Sequence, residues 1–290
     1  MSDQFISFEI SKKHKDKTIL IFLKEKLNLS NKEIKYLLDK GILKLNGKIE
    51  RFSSVKLKVH DELKLLSKYQ KYLKKEESFK IHVIYEDEHI LAIDKPINFV
   101  CTDENIHRFF PKEHTLIHRL DKDTSGVLLI AKNFEAKEKI IPLFLEKKIE
   151  KEYLAIVDGE VSFNEKKIEN FLIKDKIIDG QTIYTQGNNG KYALSYFYKL
   201  ASKKDFSLIL ANPITGRTHQ LRVHLKKLNH PILGDFLYSK KFKFQGFVER
   251  LMLHSYKLSF FNPFTEEDLI IKSEIPILFT KYFDDIQSLV

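Results

Sequence analysis

Arg119 and Asp121 stand two apart in "HRLDKDTSG" (118–126), directly ahead of the apolar run "VLLIA". In extended backbone that spacing puts guanidinium and carboxylate on one face, with His118 and Leu120 on the other. A carboxylate beside a buried strand has to be paired or hydrogen-bonded. Thr124 and Ser125 can donate to it, and an arginine keeps it ionised at neutral pH. Such a group is either a structural ion pair at a turn or the working carboxylate of a pocket; the residue pattern by itself favours the ion pair. A second stretch, "GRTHQLRVHLKKLNHPILGD" (216–235), spaces Leu221, Leu225 and Leu228 at i, i+4 and i+7 and ends at Asn229 and Pro231, which predicts a short helix. Arg217 falls at its start, where free backbone N–H groups and a guanidinium suit a phosphate or carboxylate. His219 and His224 are five apart, hence on different faces of a helix and opposite faces of a strand, so no metal site is expected. Tyr153, at the head of "KEYLAIVDG", reads in isolation as a core ring with a hydrogen-bonded hydroxyl.

These groups need elements to hold them. The 290 residues suffice for one large domain, or one large and one small. Apolar residues at 43% argue against disorder. The net charge of +10 is concentrated: residues 1–80 carry 20 Lys and Arg against 11 Asp and Glu, leaving +1 for the rest. A basic N-terminal unit attached to a nearly neutral one points to a polyanion, nucleic acid before membrane. One cysteine, Cys101, excludes an intrachain disulfide and a cysteine-based zinc site, and suits a reducing compartment. No apolar run nears the roughly 18 residues that span a bilayer. The first residues lack the basic-then-apolar order of a signal peptide, so the expected location is the cytoplasm.

In the N-terminal unit, Asp16 is expected to cap a first helix. Ser30 and Glu33 form a capping box for a second, and Gly41 ends it. Asn46-Gly47 between alternating apolar residues predicts a hairpin. This order, with "SNKEIKYLLDKGILKLNGK" and "HDELKL", resembles the S4 RNA-binding domain over roughly residues 15 to 66. The family usually carries an arginine after the capping serine, where Asn31 stands here. The resemblance implies RNA binding by basic side chains, and Lys32 and Lys35 are the candidates. The expected layout is an S4-like domain at 1–67, a charged linker at 68–80 and a larger domain at 81–290. From residue 81 many strand-like segments and few helices, without βαβ alternation, predict an α+β domain on a large mixed sheet with flanking helices.

"ILAIDKP", "HRLDKDTSGVLLIAK", "KEYLAIVDG", "ITGRTHQLRVH", "HPILGDFLY" and "LHSYKLSF" together resemble the RluA family of RNA pseudouridine synthases. An S4 domain is a common companion of that catalytic domain. The resemblance implies a mainly antiparallel mixed sheet and isomerisation of uridine to pseudouridine in structured RNA, with no cofactor and no metal. It makes Asp121 the catalytic carboxylate, Tyr153 the active-site tyrosine against the uracil, and Arg217 the partner of Asp121. Arg119 would help displace the extruded base, and Leu221 would line the pocket. The expected substrate is ribosomal RNA, of the large subunit, ahead of transfer RNA. The expected state is a monomer without an obligatory protein partner. The competing function is a catalytically idle RNA-binding or ribosome-assembly factor, which would have little use for a carboxylate in an RNA groove.

Overall fold

The computed structural model describes residues 4–39, 41–73, 79–178, 181–239, 241–244, 246 and 248–290. The chain divides into two compact units, residues 1–78 with 177–181, and residues 79–176 with 182–290.

In the first unit, β1 (Phe5–Glu9), β2 (Leu43–Leu45), β3 (Lys48–Ile49) and β4 (Glu62–Leu66) form an antiparallel sheet in the order β1-β4-β2-β3. Helices α1 (Ile19–Leu27) and α2 (Asn31–Asp39) close its core through Phe22, Leu23, Ile34 and Leu37. The first cap is Thr18, whose Oγ1 accepts from the Ile21 N–H; Asp16 instead adopts φ +65° two residues earlier. The capping box forms as read: Ser30 N–H donates to Glu33 Oε2 at 2.7 Å and Glu33 N–H to Ser30 Oγ at 3.3 Å. Asn46 and Gly47 take φ +50° and +80°, the left-handed pair that a two-residue hairpin requires. Lys32 and Lys35 are exposed on α2. The short α3 (Gln70–Leu73) brings Tyr69, 9% exposed, and Leu73 onto this core. Packing therefore continues into the stretch expected to be linker from residue 68; within it, residues 74–78 lie outside the described residues.

The second unit is built on β5 (His82–Glu86), β6 (Ile90–Lys95), β7 (Thr115–Leu116), β8 (Ser125–Ala131), β9 (Glu150–Asp158), β10 (Glu165–Ile178), β11 (Gln181–Gly187), β12 (Lys191–Lys203), β13 (Phe206–Pro213), β14 (Leu253–Asn262) and β15 (Glu267–Lys272). Its spine runs β11-β10-β12-β13-β9-β14-β8-β6-β5, with β15 on β14 and β7 on β8. The pairings among described residues are antiparallel except the short contact of β14 with β8, so the sheet is mixed and mainly antiparallel. Every residue of β8 is buried. Val127 and Leu129 pack with Ile140 of helix α4 (Phe134–Leu145), while Leu128 and Ile130 pack with Phe99, Ile106 and Leu120. Helix α5 (Gln220–Lys227) lies against β12 and β13. Among the described residues no helix is long and apolar enough to cross a membrane.

Candidate active site

The carboxylate of Asp121 sits on the turn that feeds the buried strand β8. Thr124 N–H donates to the Asp121 carbonyl at 3.1 Å, closing the turn. Lys95, fully buried at the end of β6, donates from Nζ to the carbonyls of Pro96, Phe99 and Lys122 at 2.8, 3.0 and 3.2 Å. One ammonium thus fixes the loop after β6 and the loop of Asp121 together, and burial pushes it down to about 8. His118 accepts the Leu129 N–H at 2.8 Å and stacks on Phe144, while Leu120 enters the core at 4% exposure. Both neighbours of Arg119 are thereby anchored, and Arg119 itself is exposed.

Gly126 explains the "TSG" that follows. It takes φ +108°, and a Cβ there would lie 2.1 Å from the Ser255 carbonyl oxygen, where β8 meets β14 side by side. Ser125 Oγ is held on the same seam, 2.8 Å from His254 Nδ1 and accepting from Arg250 Nη2 at 2.7 Å. Across β14 the Ser255 register partner is Tyr153 of β9. Tyr153 is half-buried between two hydrophobic clusters. Burial, opposed by the Ser255 hydroxyl and reinforced by the Asp121 charge, pushes its phenol up to about 12.

The cation beside Asp121 comes from α5. Arg222 Nη1 lies 3.9 Å from Asp121 Oδ2. Its Nε and Nη2 donate to Asp235 Oδ2 and Oδ1 at 2.9 and 2.7 Å, a bidentate pair in which the side chains are 5% and 1% exposed. Asp235 reaches it through a turn at Gly234, φ +80°, where a Cβ would lie 2.0 Å from the Arg250 carbonyl oxygen. Burial pushes the Asp121 carboxyl above the ordinary aspartate range; Arg222 opposes the rise and Asp123 adds to it. Arg222 cannot cancel the burial because its charge is already committed to Asp235. His219 Nε2 stands 3.9 Å from the same Oδ2 atom, and burial, then Arg222, pushes that imidazole down to about 3. A partly buried carboxylate flanked by guanidinium, phenol and neutral imidazole can supply an electron pair to an electrophilic carbon or take a proton from carbon.

The family model described as RNA pseudouridylate synthase matches residues 89–227, which include Asp121, Tyr153, His219 and Arg222 but not Gly234, Asp235, Arg250 or the β14 residues. An RNA pseudouridine synthase of Helicobacter pylori, named as uncharacterized, is 35% identical over 239 residues, covering 80% of this chain and 88% of its own. The chain belongs to the RNA pseudouridylate synthase family. That membership makes it an isomerase acting on RNA. Ribosomal large subunit pseudouridine synthase D of Borreliella burgdorferi is 37% identical over 200 residues, covering 61% of this chain and 60% of its own. Among solved structures, human RNA pseudouridylate synthase domain containing 1 superposes with a TM-score of 0.58 at 25% identity, covering 72% of this chain and 94% of its own.

Tyr153 lies near enough to Asp121 for the carboxylate charge to act on its phenol, but Arg217 is not brought to them. Arg217 is exposed, and its Nε donates to the Tyr192 carbonyl at 2.8 Å. The cause is the turn: Gln220 Oε1 accepts from Thr215 Oγ1 and from the Arg217 N–H, and His219 takes φ +58° before the helix begins. The side chain at 217 is turned to the edge of β12, and Arg222 of the helix faces Asp121 in its place. Leu221 turns to the core. It is 6% exposed in the core with Leu154, Leu225 and Leu253, because the helix that aims Arg222 inward buries residue 221 on the sheet. His224 also serves the scaffold, placing Nδ1 3.1 Å from Ser195 Oγ and Nε2 3.2 Å from Asn170 Oδ1. The sequence did hold a signal for Arg222 and Asp235: a fully charged residue amid "LRVHL" and another after "HPILG" must be buried as partners if both elements pack.

Proposed function

We propose that this synthase converts uridine to pseudouridine in large-subunit ribosomal RNA, with Asp121 as the catalytic carboxylate. The observation that carries the assignment is the position of Asp121: half-enclosed, rigidly held, and 3.9 Å from a guanidinium whose charge is largely spent elsewhere. The reaction breaks the N1–C1′ bond, turns the uracil and joins C5 to C1′, losing the C5 proton. It needs an electron pair at the sugar or the base and a surface that holds the freed uracil. Asp121 supplies the former. Tyr153, protonated at neutral pH, offers its ring to the flipped base, whose extrusion costs a few kcal/mol. Arg119, exposed on the Asp121 loop, occupies the gap that the base leaves. Two relatives named for the large ribosomal subunit, the Borreliella protein and synthase C of Buchnera aphidicola, support the choice of RNA.

The first unit we read as an S4-like RNA-binding domain, residues 1–67, preceding a catalytic domain at 81–290. Its support is the helix-helix-hairpin order and the exposed pair Lys32 and Lys35 on α2. The protein works as a monomer in the cytoplasm, without an obligatory protein partner.

Asp121→Asn tests the central claim. Pseudouridine formation is expected to fall by about 10³-fold or more, with RNA affinity within about twofold. Purified Asp121→Asn that forms pseudouridine at the wild-type rate would remove Asp121 from the chemistry.

A further inference from the structure

The hydroxyl of Tyr238, from "HPILGDFLY", lies between two nitrogen atoms. The Tyr184 backbone N–H of β11 donates to it at 2.9 Å, and His219 Nδ1 stands 2.8 Å away. A phenol that accepts one hydrogen bond still has its own proton to give. The arrangement that uses every group runs from Tyr184 N–H to the Tyr238 oxygen, and from Tyr238 O–H to His219 Nδ1. The imidazole proton then resides on Nε2, the nitrogen that faces Asp121. The ring is fixed from both sides, edge-on to Tyr184 (centroids 5.7 Å, 81°) and to Tyr238 (5.5 Å, 89°). Its backbone holds φ +58°, a conformation that histidine adopts more readily than most residues.

We propose that His219 is a positioning residue for Asp121: a neutral imidazole, locked by Tyr238 as the Nε2–H tautomer, whose N–H closes onto the carboxylate when the substrate base fills the cleft. The 3.9 Å separation is longer than a hydrogen bond, as is common before substrate binds. A movement of about 1 Å completes the contact. Because burial and Arg222 keep the imidazole uncharged down to about pH 3, it donates without adding a cation. The carboxylate is then oriented by a dipole on one side and by a partly neutralised guanidinium on the other, and keeps its electron pair available. This reading rests on Asp121 being the catalytic carboxylate.

The charged and titratable groups facing Asp121, besides His219, are Arg222 of α5, Tyr238, Lys95 of β6, Tyr153 of β9, Cys101 of the loop after β6, and Arg119 and Asp123 of its own loop. Those facing His219 are Arg222, Asp235, Asp123 and Arg119, with Tyr184 and Tyr238. Withdrawing a donor from this set disfavours the ionised form of Asp121, so the acid limb of the activity profile moves to higher pH.

The test is tritium release from bulk RNA of a strain lacking this synthase, labelled at uridine C5, measured across the acid limb. His219→Asn tolerates the left-handed backbone and withdraws the Nε2 donor. It should lower kcat about 10- to 100-fold, leave KM within about twofold, and displace the acid limb upward. His219→Gln returns an amide N–H to that position and should recover most of the loss. Tyr238→Phe keeps the imidazole but releases its tautomer, and should give a smaller loss with a displacement of the same sign. An acid limb unmoved in both His219→Asn and Tyr238→Phe, whatever the rate, assigns these side chains to packing and overturns the proposal. Asp121→Asn in the same assay separates the two claims. Full activity there sinks the catalytic reading itself, whereas an inactive Asp121→Asn with an unmoved acid limb sinks only the role of His219.

Discussion

Arg222 is shared by two carboxylates, and the sharing is unequal. Asp235 takes two short hydrogen bonds and Asp121 only a 3.9 Å approach, so Asp121 retains a pKa above the ordinary aspartate range for which burial is the main cause. The sign of the consequence follows from linkage. A carboxyl whose folded pKa exceeds its unfolded one favours the fold while protonated and loses that contribution as pH rises through the folded value. Asp121→Asn should therefore melt higher than wild type at neutral pH, with the difference shrinking as pH falls toward the ordinary carboxylate range. Calorimetry at two pH values reads this directly, and a lower melting point for the variant at neutral pH would contradict it. Asp235→Asn should do the opposite. It leaves a buried guanidinium with one distant partner, which costs about 3–5 kcal/mol in denaturant titrations. Arg222 would then turn to Asp121, lowering its pKa, so the acid limb of whatever activity survives should move to lower pH.

Among the elements, the seam between β8 and β14 carries the site. Gly126 permits it: a Cβ 2.1 Å from a backbone oxygen cannot be relieved by turning a side chain, and φ +108° is strained for any other residue. Gly126→Ala is expected to lose more than about 3 kcal/mol of stability, or to be recovered only as insoluble protein; a chemical melt within about 1 kcal/mol of wild type would refute the steric account. Periodicity disclosed much of this frame. "VLLIA", apolar on both faces, could only be a buried strand, and the capping box and Asn-Gly hairpin are local codes that neighbours do not override. Partner choice was not legible. Arg217 and Arg222 occupy one motif, and which of them meets Asp121 is decided by a left-handed residue at 219 and a glutamine that ties up the turn. Leu221 shows the same limit, since a leucine next to a functional arginine serves pocket and core equally until the helix face is fixed. Strand β1 was not legible because Phe5, Ile6 and Phe8 do not alternate, and the packing of Tyr69 because it lies between Lys68 and Lys71.

For the molecule as a whole, the uneven charge bears on the RNA binding proposed for the first unit. With +9 of the +10 in residues 1–80, the N-terminal stretch that makes up most of the first unit should supply most of the salt-dependent part of binding, and Lys32 and Lys35 are exposed on it. Replacing both by Gln should weaken RNA binding and reduce the slope of log affinity against log salt by about 1 to 2, while single-turnover catalysis at saturating enzyme stays unchanged. An unaltered slope would remove these lysines from the interface. The second unit has a different global property. Its β8–β14 seam joins Ser125 to His254 across 129 residues of chain, and Asp121 and Tyr153 approach only when that seam is shut. Closing so long a loop is entropically disfavoured until most other strands are paired. The proposed catalytic constellation is therefore expected to be among the last features to form as the chain folds, and a polypeptide still emerging from the ribosome, with β14 not yet made, would have no isomerase to misapply to the RNA around it.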